Sequence, residues 1–122
     1  MDSHFRGQVA HLTGLAAEDR IAQDFEDRGY RLEQQRWRGA GGEIDLIFRH
    51  GDALVFVEVK ASRSFESAAA RLSARQQARL CQSAESYLAG QPAGSLTDMR
   101  FDVALVDGSG AYQILENAFG QG

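Results

Sequence analysis

Two apolar runs lie a tight turn apart in the middle of the chain, "EIDLIF" at residues 43–48 and "ALVFVEVK" at residues 53–60, separated by "RHGD". Nothing else in the sequence limits the fold as strongly. Both runs are rich in Val, Ile, Leu and Phe and too short for core helices, and Gly51 and Asp52 supply turn chemistry. They predict an antiparallel strand pair over residues 44–48 and 53–60. Alternation puts Val55, Val57 and Val59 on one face of the second strand and Phe56, Glu58 and Lys60 on the other. In the first strand Ile44, Leu46 and Phe48 share a face, leaving Asp45 on the opposite side with Ile47. Charge inside such runs is unusual unless it has a partner or a task.

Around this pair the periodicities predict the remaining elements. Residues 1–12 read as an irregular, flexible arm. Thr13 caps a helix over residues 15–28 that Gly29 stops. Leu15, Ala22 and Phe25 form its apolar stripe with Ile21 beside them, and Glu18 interrupts that stripe. A modest strand follows over residues 30–37, broken by "RGAGG". After the central pair, residues 61–70 read as a connection. Ser73 caps a second helix whose stripe is Leu80, Cys81, Ala84, Tyr87 and Leu88 and which ends at Gly90. A loop containing the only proline leads to "RFDVALV", a "DGSG" turn and "AYQIL", a strand pair. Helix, three strands, helix and two strands make a mixed α/β (α+β) domain with one sheet flanked by helices. At 122 residues it is one domain, 1–122, able to bury a core without disulfide or metal staples.

Several function classes lose support. No apolar run reaches membrane-spanning length and the N-terminus lacks a signal-peptide block, so no membrane partner is expected and the cytoplasm is the expected location. Cys81, the single cysteine, has no disulfide partner and reads as a small buried residue. His4, His11 and His50 are not at ligand spacing and read as surface residues. The glycines of "RGAGG" could wrap a phosphate, but no helix N-terminus follows them. The net charge of −4 and pI near 5.3 count against a bulk nucleic-acid coat. The distribution is uneven: acids crowd the first helix and arginines punctuate the middle. Of 13 basic residues twelve are arginine, and Lys60 is the sole lysine.

Asp45 and Glu58 meet across the strand pair, with Lys60 one pleat further along. Opposed carboxylates repel unless a cation lies between them. Two carboxylates, a backbone carbonyl and waters suit a hard ion such as Mg²⁺ or Mn²⁺. The chemistry that uses this set is phosphodiester hydrolysis, in which the ion polarises the phosphoryl oxygen and activates a water. An ammonium beside it positions that water or stabilises growing charge. Lysine offers a compact point charge there, whereas arginine is a fixed planar fork. The plainer alternative is a cross-strand salt bridge on a solvated face, which Glu-x-Lys alone would satisfy. Asp45 across the turn and Glu18 on a buried stripe add weight to the metal site.

An inward glutamate on a helix, then "GEIDLI", then "VFVEVK", then a helix resembles the PD-(D/E)XK nuclease superfamily. More narrowly, "GGEIDLI", "VFVEVK", "RFDVALV" and "ENAF" resemble the YraN-like family of small uncharacterised bacterial proteins, related in fold to archaeal Holliday junction resolvases. The resemblance implies a restriction-endonuclease-like fold, a central mixed sheet of about five strands with helices on its faces. It implies Asp45 and Glu58 as ligands of Mg²⁺ or Mn²⁺, with the Val59 carbonyl as a third, Lys60 as the catalytic lysine and Glu18 as the helix carboxylate completing the site. Glu43 belongs to the motif as well, as a structural residue or a second contact. Where the family often has a lysine near the start of the second helix, this chain has Gln76. The function so implied is a Mg²⁺-dependent endonuclease acting on structured or damaged DNA, with DNA favoured over RNA and a homodimer expected for a symmetric junction. The competing reading is a non-catalytic nucleic-acid-binding or protein-interaction module that keeps the fold. The acidic pI and the lack of a stacking platform favour it, since Trp37, between Arg36 and Arg38, suits a core or edge strand better than base stacking.

Overall fold

Helix α1 (residues 16–27) leads into a meander of three strands, β1 (Arg31–Gly39), β2 (Gly42–His50) and β3 (Ala53–Ala61). Helices α2 (Phe65–Ala70) and α3 (Ala74–Leu88) follow, then a 3₁₀ turn (Gly94–Leu96) and strands β4 (Met99–Val106) and β5 (Tyr112–Phe119). The computed structural model describes residues 16–119. The N-terminal arm, the Thr13 cap, Leu15, His4 and His11 lie outside the described residues.

The strands form one mixed sheet in the order β1-β2-β3-β4-β5, with β3 and β4 parallel and the other pairs antiparallel. A parallel pair needs a crossover, and α2 and α3 are that crossover. Strand β3 is buried without a break from Leu54 to Glu58, which requires cover on both faces and a central place in the sheet. On one face Ile21, Ala22 and Phe25 of α1 pack on Leu46, Phe48, Val55, Val57 and Ala104. On the other, Leu80, Ala84 and Leu88 of α3 pack on Ile47, Leu54, Phe56 and Phe101. The expected sheet with flanking helices is the observed architecture.

Two details differ from the sequence reading. The connection at 61–70 holds α2, whose six residues are too few to show a period. Ser64 caps it, accepting from the Ser67 amide at 3.0 Å while Ser67 returns a bond to the Ser64 amide. Ile44 does not share a face with Leu46 and Phe48, because it joins Trp37, Leu80 and Ala84 on the α3 side. The β1–β2 hairpin tip bends that way because it is fastened to α3. The Ser83 hydroxyl accepts from the Gly41 amide at 2.9 Å and donates to the Gly42 carbonyl at 2.8 Å. A Cβ on Gly41 would stand 2.1 Å from the Arg79 carbonyl oxygen, so "RGAGG" provides close approach to a helix rather than a phosphate loop. The bend is taken up in β1 by a register shift between Leu32 and Gln34 and by a φ of 47° at Arg36.

Candidate functional site

The bend opens the sheet at one place. Strands β2 and β3 are paired from His50–Ala53 to Leu46–Val57, and the regular ladder stops there. Strand β3 stays paired with β4 through Ala61–Val106, and β2 stays paired with β1 through Gly39–Gly42. The next residues after the break are Asp45 and Glu58, and their side chains replace the missing backbone bonds. The Glu58 Oε1 accepts from the Asp45 amide at 3.3 Å, and Asp45 Oδ2 accepts from the Val59 amide at 2.8 Å. Two acids therefore stand where two strands part.

Glu58 is 5% exposed. Its Oε2 accepts from the Gln76 side-chain amide at 3.2 Å and lies 3.3 Å from Lys60 Nζ. The position where a lysine is often found in the resembling family thus sends an amide to the buried glutamate. Burial, then the charge of Asp45, push the Glu58 carboxyl up to about 8, with Lys60 opposing. Glu18 approaches the cluster from α1, on the other side of the sheet. Burial, then again Asp45, push its carboxyl up to about 7. Its Oε1 is buried without a hydrogen bond, with the Arg36 Nε 3.7 Å away. Arg36 stands opposite Asp45, between the paired residues Gln35–Leu46 and Trp37–Ile44.

The structure therefore brings Asp45, Glu58, Lys60 and Gln76 into direct contact and sets Glu18 close enough for Asp45 to perturb it. Val59 contributes its amide to Asp45. Glu43 is exposed, and its charge is among those that raise Glu18. In the sequence Arg36 reads as a basic flank of Trp37, and its place beside Glu18 depends on a left-handed backbone that an arginine seldom signals. Trp37 packs edge-on against Tyr87, ring centroids 5.0 Å apart, as a core contact.

Among the described residues no group of three or more His, Cys, Asp or Glu side chains is placed to hold a metal ion. Mg²⁺ is commonly held by one or two carboxylates completed by water and substrate phosphate, so a pair suffices. The Glu18 oxygen without a hydrogen bond, and the Asp45 charge that adds to burial in raising both neighbouring carboxyls, are what a hard cation would relieve. On that test the residues fit such an ion.

The profile of UPF0102, an uncharacterised protein family, matches residues 17–106, a span that contains Glu18, Asp45, Glu58, Lys60 and Gln76. A UPF0102 protein of Ruegeria pomeroyi is 59% identical over 117 residues, covering 96% of this chain and 95% of its own length. One of Roseobacter denitrificans is 53% identical over 116 residues, covering 95% and 90%. One of Ruegeria sp. (strain TM1040) is 47% identical over 121 residues, covering 99% and 98%. No helix among the described residues is long and apolar enough to cross a membrane.

Proposed function

The chain belongs to the UPF0102 family, and we propose that it is a divalent-metal-dependent endonuclease of the PD-(D/E)XK type that hydrolyses DNA phosphodiester bonds. The observation that carries this reading is the pair Asp45 and Glu58, held against each other where β2 and β3 separate, with Lys60 Nζ 3.3 Å from Glu58. A salt bridge alone accounts for Glu58 and Lys60. It does not account for a second, half-buried acid hydrogen-bonded beside them, or for a third acid, Glu18, whose buried Oε1 has no hydrogen bond.

Asp45 and Glu58 would hold Mg²⁺ or Mn²⁺, which supplies a Lewis acid for the phosphoryl oxygen and a water of lowered pKa. The chain's own groups do the rest. The Val59 and Asp45 amides orient the two carboxylates, and Gln76 fixes the Glu58 rotamer from α3. Lys60, its side chain 14% exposed, would offer a positive charge to the phosphate. Glu18, with its carboxyl near 7, is able to take up a proton at neutral pH.

Wild type should cut duplex, flap or four-way DNA in Mg²⁺ or Mn²⁺ and not in EDTA. Asp45→Asn and Glu58→Gln should each abolish cleavage and weaken Mn²⁺ binding by calorimetry. A second reading, a binding module without turnover, draws on one fact: both Glu58 oxygens are already engaged by groups of the chain. DNA binding without cleavage on any of these substrates would select it.

A further inference from the structure

The arginines divide by position along the strands, except that Arg36, at the site end, lies 3.7 Å from Glu18. The end of the sheet where Lys60 lies also contains the β1–β2 turn, the β4–β5 turn and the first turns of α3. Six exposed arginines sit there: Arg20, Arg38, Arg63, Arg71, Arg75 and Arg79. Arg20 donates to the Gly110 carbonyl at 2.6 Å, Arg71 donates to the Ala61 carbonyl at 2.8 Å, and the Arg63 carbonyl accepts from Gly108. Among the described residues none of the six has a carboxylate within ion-pair distance.

At the opposite end the pattern reverses. Arg28 is paired with Asp24 at 2.8 Å, Arg49 with Glu33 at 2.5 Å and Arg100 with Asp102 at 2.9 Å. Arg31, 73% exposed, lies 3.7 Å from Glu33. Acids are in surplus there, with Glu26, Asp27, Asp52 and Asp98 at exposed turns and helix ends. The Lys60 end has acids too, with Asp19, Glu43 and Glu66 exposed there, but its six exposed arginines outnumber them. At the site end Asp107 is occupied by the Ser109 hydroxyl and by the Ser109 and Ala111 amides.

We infer that the Lys60 end of the sheet is a phosphate-binding face that holds duplex nucleic acid by its backbone, through these six arginines. This deepens the reading of the same site as a nuclease and rests on it. Five strands at the usual spacing span about 19 Å, along which a duplex presents on the order of ten phosphate charges. A guanidinium already bonded to one carbonyl keeps further donors for phosphate. The choice of duplex over single strand follows from the aromatic residues. Single-strand binders offer exposed rings on which bases stack. Here Trp37 is packed on Tyr87, Phe65 packs with the α2 cluster, and the Tyr112 hydroxyl donates to Asp24 at 2.6 Å. Leu96, the exposed large apolar side chain among the described residues, belongs to the opposite end.

The test is fluorescence anisotropy of a short labelled duplex and of one of its strands across a salt series, with calcium replacing magnesium so that the duplex stays intact. The slope of log affinity against log salt should fall by about 0.9 for each phosphate contact removed. The combined variant Arg63→Gln, Arg75→Gln, Arg79→Gln should therefore lose roughly 2.7 of the wild-type slope, while its melting temperature stays near wild type. Arg31→Gln, at the other end, should leave the slope unchanged. An unchanged slope in the triple variant, an equal loss in Arg31→Gln, or tighter binding of the single strand would overturn the inference. Cleavage in magnesium is followed in parallel. A wild type that cuts, with a triple variant that keeps its slope, removes the binding face and leaves the nuclease; lost slope in the variant with no cleavage by the wild type does the reverse.

Discussion

Glu58→Gln should stabilise the protein at alkaline pH, although it removes a buried hydrogen-bonded side chain. The glutamate is 5% exposed and its carboxyl is pushed up from 4.5 to about 8, first by burial and then by Asp45. A raised folded-state value means that the folded chain holds the proton more tightly than the unfolded chain. The contribution is therefore fully present below pH 4.5 and is lost as pH rises through about 8. At 1.36 kcal/mol per unit, the ceiling on that loss is about 5 kcal/mol. Glutamine gives up the ion pair to Lys60 at 3.3 Å and one acceptor oxygen, while Asp45 remains to balance the lysine. A net gain of about 1–2 kcal/mol at pH 8.5 is expected, or roughly 3–8 °C in Tm for a chain of this size. Scanning calorimetry from pH 5 to 8.5 should show no advantage at pH 5 and a widening gap above pH 7. Adding MnCl₂ at pH 8.5 should raise the wild-type Tm and close the gap, with little effect on the variant. A variant less stable than wild type by the same amount at every pH would make Glu58 an ordinary structural anchor and remove the argument for a strained acid pair.

Two further outcomes follow from the same geometry. Lys60→Arg should keep the fold and Mn²⁺ affinity yet lose DNA cleavage by about 10²–10⁴-fold, because a planar guanidinium pairs with Glu58 but cannot occupy the ammonium's place; unchanged rates would give Lys60 a generic electrostatic role. Gly41→Ala places a methyl 2.1 Å from the Arg79 carbonyl oxygen and should cost about 1–3 kcal/mol by urea unfolding, while weakening Mn²⁺ binding because the hairpin bend is what parts β2 from β3; a neutral substitution would refute the docking of that turn on α3.

The central strands were legible because period-2 alternation and a Gly-Asp turn are local signals, and a local signal also carries the register. Once β2 and β3 are antiparallel across residues 50–53, Asp45 must come opposite Glu58. The side of the sheet that Ile44 serves was not legible, because it depends on a long-range attachment. Ser83 is fully buried and bonded to the hairpin tip, yet a serine among apolar stripe positions gives no sign of it. Helix α2 was hidden for a different reason, since its capping serines are also common in loops and its length is under two turns.

The candidate acids and their surroundings are legible in the sequence to different degrees. Charge in an apolar run is rare enough to be informative one residue at a time, so Glu18, Asp45 and Glu58 could be picked out singly. Arginines are ordinary surface residues, and their meaning lies in which of them lack a partner. A net charge of −4 sums over the whole chain and discards position. The fold restores position. It carries Glu33 to Arg49 and Asp102 to Arg100 at one end, and leaves Arg63, Arg75 and Arg79 free of carboxylate partners among the described residues at the end where Lys60 stands. A chain can be acidic overall and still meet phosphate with arginine, provided that one end of its sheet gathers more exposed arginines than exposed acids.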